Sequence, residues 1–223
     1  STSTWTNAAN SVLDMGGTTS ALLATGTFDA SAVPNTVKYS GSGNQNIKTP
    51  SSTYYNLYLS SSSAGVKSLQ AALTLSGDLQ ILTGAQLDAV ASGNTITLNG
   101  NWINSSTNGT PFNSSTSTVY FGSNSIISGS GITSFYNVII NTAGSLTANS
   151  ATGKVIVTGN WQNDGIFNNN NSDITFNGTS TISGTSITNF KNVIVNATKT
   201  LTLHATETDF AGDITSNGTL NHN

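Results

Sequence analysis

The chain is predicted to fold as an all-β parallel solenoid (β-helix), on three observations. Apolar and polar residues alternate in short runs such as TVYF, DITF, KVIVTGNW and NTITLNGNW, the period of half-buried strands. One long motif recurs at residues 36–59 (TVKYSGSGNQNIKTPSSTYYNLYL), 117–140 (STVYFGSNSIISGSGITSFYNVII) and 173–195 (DITFNGTSTISGTSITNFKNVIV). A shorter motif, aliphatic-x-Gly-[Asp/Asn]-[Leu/Trp/Ile], recurs as LSGDL at 75–79, LNGNW at 98–102, VTGNW at 157–161 and FAGDI at 210–214. Repetition at such periods marks an architecture of stacked units.

Residues 1–35 read as an irregular N-terminal segment for assembly, with SALL at 20–23 as a short helix between glycines. The repetitive body spans 36–223, divided into repeats at about 36–94, 95–158 and 159–223. Within the first repeat, GVKSLQAAL at 65–73 fits a helix or a strand equally well. The first two Gly-[Asp/Asn] motifs lie 23 residues apart, one solenoid coil; the next intervals, 59 and 53, correspond to about three rungs per super-repeat. In such a stack each rung buries its inward side chains against the rungs above and below. Equivalent aromatics are therefore expected to form core columns: Tyr39, Phe121 and Phe176; Tyr54, Phe135 and Phe190; Trp102 and Trp161. The glycine of the short motif is expected to take positive φ at a corner. Asn56, Asn137 and Asn192, just ahead of strands, are expected to bond backbone through their amides. The competing fold is a pair of antiparallel β-sandwich domains split near residue 100, against which the repetition across that point argues.

Composition narrows the function. The six basic residues are all lysine and the net charge is −3, so no basic patch is available for nucleic acid. No apolar run is long enough for a membrane-spanning helix. The absence of cysteine excludes disulfides and thiolate chemistry. With no N-terminal Met and no charged n-region followed by an apolar stretch, the chain reads as a mature product whose export signal, if it had one, is already gone.

Residues 159–196, GNWQNDGIFNNNNSDITFNGTSTISGTSITNFKNVIVN, resemble the repeats of large secreted bacterial surface proteins, which are similar to adhesins and other extracellular β-solenoids. The resemblance is good over about 95–223, loose over 36–94 and poor over 1–35. It implies export, a rod-like shape and a cell-surface or filament role.

No constellation in the sequence carries catalysis. Paired carboxylates could be sought at Asp78 with Asp88, Asp164 with Asp173, and Asp209 with Asp213. Asp78 and Asp213, however, occupy the position that Asn101 and Asn160 fill in other copies, so the position asks for a turn former. Lys38, Lys48, Lys67, Lys154, Lys191 and Lys199 are scattered, and His204 and His222 lack a metal-site context. His204 with Glu207 and Asp209 offers too few oxygens for a calcium site. The chain is read as a non-enzyme without cofactor or metal. Ice binding by T-x-T arrays is set aside, since T-x-T at 95–97, 116–118 and 200–202 does not recur at one rung spacing. Seven sequons, at Asn104, Asn108, Asn113, Asn170, Asn177, Asn196 and Asn217, are possible glycan acceptors.

The two ends of the sequence match each other. NGTLNHN at 217–223 followed by STSTWTNAANSVL at 1–13 aligns without a gap on residues 108–127. This assigns an assembly role to Ser1, Thr2, Ser3, Thr4, Trp5, Val12 and Leu13 at one end and Leu220, Asn221, His222 and Asn223 at the other. The expected function is structural: the protomer of an extracellular, head-to-tail surface filament, a homopolymer in which the repeat continues across subunit ends. The alternatives are a stalk segment of a large adhesin, or a carbohydrate-binding or carbohydrate-active β-helix that meets glycans or a neighbouring cell surface.

Overall fold

A computed structural model describes residues 3–17, 26–89, 94–151, 153–203 and 208–222. The protein is an all-β parallel solenoid of about 10 turns, with roughly 21 residues per turn and no helix among the described residues. Each turn contributes one short strand to each of three faces. The first face is a ladder from Val12–Met15 through Thr36–Tyr39, Asn56–Leu59, Leu79–Ile81 and Trp102–Asn104 to Ile166–Asn168. Thr188–Phe190 and Thr208–Phe210 extend it. The second face begins with Gln45–Ile47, Gly65–Leu69, Ala85–Asp88 and Phe112–Asn113 and continues from Thr133–Phe135 to Ile214–Ser216. The third starts with the pair Thr4–Thr6 and Thr27–Asp29, passes through bridges joining Ala30, Tyr54 and Leu75, and runs from Leu73–Leu75 to Thr219–His222.

Alternation sets the core. In Asn56–Leu59, Leu57 and Leu59 are buried while Asn56 and Tyr58 face outward, and most strands of the body follow the same rule. Segment 65–73, which fits either helix or strand by sequence, is the strand Gly65–Leu69 with alternating burial, followed by the start of Leu73–Leu75. The segment expected to be irregular, 1–35, carries the strands Thr4–Thr6, Val12–Met15 and Thr27–Asp29. SALL at 20–23 lies outside the described residues. No boundary appears near residue 100, where Leu79 pairs with Trp102 in one ladder. Antiparallel sandwiches are therefore excluded.

All eight aromatics assigned to the core are fully buried, but they do not stack over their counterparts. Trp102, Trp161 and Ile214 begin strands 12, 20 and 28 of the chain. Counterparts are thus eight strands apart, and at three strands per turn the super-repeat of about three rungs measures two and two-thirds turns. Each copy is rotated onto another face: Trp102 on the first, Trp161 on the third, Ile214 on the second. Tyr39, Phe121 and Phe176 likewise lie on the first, third and second faces. Tyr54, Phe135 and Phe190 lie on the third, second and first. The columns that do form are mixed, as in Phe135, Val157, Phe176 and Val195.

The aromatics of one copy gather instead into a cluster inside the prism. Trp102 packs edge-on against Phe112 (4.9 Å between ring centres) and Phe135 (5.0 Å), and Phe121 reaches Phe135 at 6.1 Å. The next copy repeats this with Trp161, Phe167 (4.8 Å), Phe190 (5.5 Å) and Phe176, the last 5.9 Å from Phe190. Burying each such ring is worth roughly 1.5–3 kcal/mol, with a further ~0.5–1.5 kcal/mol for an edge-to-face pair. Neither buried indole N–H has a conventional hydrogen-bond partner; both tryptophans lie edge-on to phenylalanine rings, which are weak acceptors.

Candidate functional site

Three features stand apart from the apolar core: polar ladders at the corners, a buried lysine, and the two ends. The ladders arise where a strand starts. Asn56 Oδ1 accepts the backbone N–H of Asp78 one turn on (2.8 Å), Asp78 Oδ1 accepts that of Asn101 (2.8 Å), and Asn101 Oδ1 that of Ile126 (3.1 Å). Asn137 does the same for Asn160 (2.8 Å) and Asn160 for Thr181 (2.9 Å). Asn192 does so for Asp213 (2.9 Å). The three asparagines also donate downward, to Thr36, Thr118 and Asp173. Asp78 and Asp213 are thus built into the same corner structure as their asparagine counterparts.

The glycine ahead of this position has a reason other than the expected one. Gly77, Gly100, Gly159 and Gly212 are not among the positive-φ residues. A Cβ on Gly77, Gly159 or Gly212 would instead stand 2.4, 2.5 or 2.2 Å from the Oδ1 of Asn56, Asn137 or Asn192. The glycine clears room for the amide of the turn below.

A second asparagine, two residues after each tryptophan, does work that the motif pattern hid. Asn104 and Asn163 are fully buried. Asn104 donates to Ile132 O (2.9 Å) and Thr133 Oγ1 (3.0 Å) and accepts from Ser106 N–H (3.1 Å). Asn163 donates to Ile187 O (3.0 Å) and accepts from Gly165 N–H (3.2 Å). The signal was present in GNWIN and GNWQN, but Asn104 also reads as a sequon, and with no exposed amide it is incompatible with a glycan in this fold.

The other sequons divide by amide availability. The side-chain amides of Asn113, Asn170 and Asn196 are donated to Asp88, Ala148 O and Asn177. Asn177 and Asn217 are exposed and Asn108 is partly so. Asn177, Asn196 and Asn217 sit on three successive turns, their N–H groups donated to Val157, Phe176 and Val195 of the turn below.

Among the described residues no group of three acidic or imidazole side chains is placed to hold a metal ion. The candidate carboxylates fall at different points of the rung. Asp78 lies in a corner ladder and Asp88 on the second face beside Asn113 and Ser68. Asp164 accepts from Gln162 and from the N–H and hydroxyl of Thr185, and the Gln162 amide leads in holding its carboxyl below the usual range. Asp173 receives the Asn192 amide, and Asp209 pairs outward with Asn189. His204 and Glu207 lie outside the described residues; His222 ends the last strand, in register with Leu203.

Lys67 is the outlier of the charge pattern. It sits on an inward position of Gly65–Leu69, fully buried, and its ammonium donates to Gly41 O (2.7 Å), Gly43 O (2.9 Å) and Gln45 Oε1 (2.7 Å). Burial pushes its pKa down to about 8. Three oxygen acceptors take the place of the water the ammonium gives up, a structural fixture under a loop of small residues. Nearby, burial raises the pKa values of Tyr39 and Tyr54, whose hydroxyls clasp Lys48 through its N–H (2.8 Å) and C=O (2.5 Å).

At both ends, among the described residues, inward apolar side chains stand partly exposed. Trp5, in register with buried Phe28, is 48% exposed, and Leu13 and Met15 are half-buried. At the other end Ile214 and Leu220, in register with buried Val193 and Leu201, are each 39% exposed, and half-buried Phe210 stacks on Phe190 at 6.1 Å. Val12 is on the outward side of its strand, 65% exposed. Ser1, Thr2 and Asn223 lie outside the described residues, and Ser3 and Asn221 are exposed. Among the described residues no helix is long and apolar enough to cross a membrane. No protein-family model, curated protein or solved structure matches the chain.

Proposed function

We propose that this chain is a structural protein rather than an enzyme, a solenoid protomer that is exported and stacks end to end with further copies into a stiff cell-surface filament. The observation that carries this reading is the complementarity of the two ends. The last strand, Thr219–His222, and the first, Thr4–Thr6, lie on the same face. Stacked in parallel, they bring Thr219 opposite Thr4, Leu220 opposite Trp5 and Asn221 opposite Thr6, inward residue over inward residue. On the first face Thr208–Phe210 and Val12–Met15 then stand two turns apart, because the former precedes the last third-face strand and the latter follows the first, so the contact is made on the third face. Such a contact would pair edge backbone groups and cover Leu220 and Trp5. A net charge of only −3 offers little electrostatic opposition to polymerisation.

The match between the termini is one of sequence and not of place in the turn. Residues 219–222 align in sequence with 110–113, yet Thr219–His222 is a third-face strand and Phe112–Asn113 a second-face strand. Direct continuation from 223 to 1 would leave two successive strands on one face within less than a turn. Negative-stain microscopy over a concentration series tests the proposal. Filaments that lengthen with concentration, and that are lost on removing residues 1–13 or on Leu220→Asp, are expected. Discrete rods of one length at every concentration would refute it.

A further inference from the structure

The third face holds a feature that the sequence pattern concealed. Three successive turns place Thr179–Ser183, Thr200–Leu203 and Thr219–His222 side by side, with Thr179, Thr200 and Thr219 in one register column and Thr181, Thr202 and Asn221 in the next. The residues between them, Ser180, Leu201 and Leu220, are the inward ones. Five threonines and one asparagine therefore form a two-by-three outward grid. T-x-T at 200–202 has its partner at 179–181, one 21-residue turn earlier, and the third row keeps the first threonine.

The grid is uncharged, and none of its five threonine hydroxyls has a hydrogen-bond partner among the described residues. Its spacing is set by the backbone: about 4.8 Å between turns and about 6.6 Å between alternate residues of a strand. Threonine is stiff at χ1, so each hydroxyl and methyl is held at a lattice point before anything binds. A rigid, neutral, periodic surface with no enclosing pocket is suited to a ligand that is itself periodic. No aromatic ring stands in the grid to serve as a platform for sugars.

We propose that this grid binds the surface of ice. The repeat distances of crystalline water lie close to both spacings of the grid, so hydroxyls can join the water lattice while the methyls exclude disordered water between them. All three turns belong to one chain, so the site does not rest on end-to-end stacking.

The test is incorporation of the full chain into a slowly grown ice front, read as the ratio of protein in the ice to protein in the remaining liquid. Thr200→Tyr with Thr202→Tyr puts two bulky rings at the centre of the grid. Thr175→Tyr places one ring on an outward position of the second face and serves as the control. Far-UV circular dichroism reports folding. Wild type and Thr175→Tyr are expected to enter the ice, and the double variant to remain in the liquid. Should the double variant fail to fold, Thr202→Lys replaces it; the fold already carries a lysine, Lys38, at an outward strand position of the first face. This variant too is expected to be excluded. Exclusion of the wild type, or incorporation of a folded grid variant as complete as that of wild type, would overturn the proposal.

Discussion

Replacing Asn104 by alanine removes a fully buried amide that serves three partners: the Ser106 N–H, the Ile132 carbonyl and the Thr133 hydroxyl. A buried group left unpaired costs about 1–3 kcal/mol. Ser106 and Thr133 are buried, while Ile132 is exposed and its carbonyl can recruit water; Thr133 can turn its hydroxyl to another acceptor. The expected loss is therefore about 2–4 kcal/mol, against less than about 1 kcal/mol for Asn108→Ala at a partly exposed turn. Asn104→Asp sharpens the test. It keeps the acceptor for Ser106 but sets an oxygen against the Ile132 carbonyl, so ionisation is disfavoured in the fold and the folded pKa is raised. A raised carboxyl pKa gives stability that is fully present below the unfolded value, about 3.9, and lost as pH rises through the folded one. Urea unfolding followed by tryptophan fluorescence, to which Trp102 two residues away contributes, reads the loss. An Asn104→Ala loss below about 0.5 kcal/mol, or a wild-type-to-Asn104→Asp difference that stays flat from about pH 4 to pH 7, would refute the assignment.

Two further predictions follow from the same geometry. Gly159→Ala is expected to destabilise by about 1–3 kcal/mol, because its Cβ would meet Asn137 Oδ1 at 2.5 Å and Tyr136 O at 2.8 Å, whereas Gly109→Ala, with nothing within 4 Å, should leave the thermal midpoint unchanged. Lys67, with its pKa lowered to about 8 in the fold, makes the unfolded chain bind more protons above that value. Stability should therefore rise from about pH 8 towards about pH 9.5, below the range in which the buried phenols of Tyr39 and Tyr54 ionise. The rise should vanish in Lys67→Met, and its persistence there would reject Lys67 as the source.

Several parts of this protein are decided by its sequence alone, because they depend on neighbours along the chain. Alternation in runs such as TVYF and KVIV requires strands with one buried side. The return of Gly-[Asp/Asn]-[Leu/Trp] after 23 residues requires stacking, and the asparagines ahead of strands require an acceptor role at corners, which Asn56, Asn137 and Asn192 perform. What lies over what depends on how many residues each turn uses, and these steps vary: Val119 to Val138 is 19 residues and Trp102 to Ile127 is 25. Only the tertiary structure sums those steps, so only it shows that a super-repeat closes after two and two-thirds turns. That fraction turns the expected aromatic columns into clusters, since Phe121 and Phe176 end on different faces. It assigns the motif glycines to clearance rather than to positive φ. It also brings Thr179 and Thr181 under Thr200 and Thr202, because one turn there is 21 residues long. Local chemistry was legible from residue to residue; vertical neighbours exist only once the chain has closed each turn.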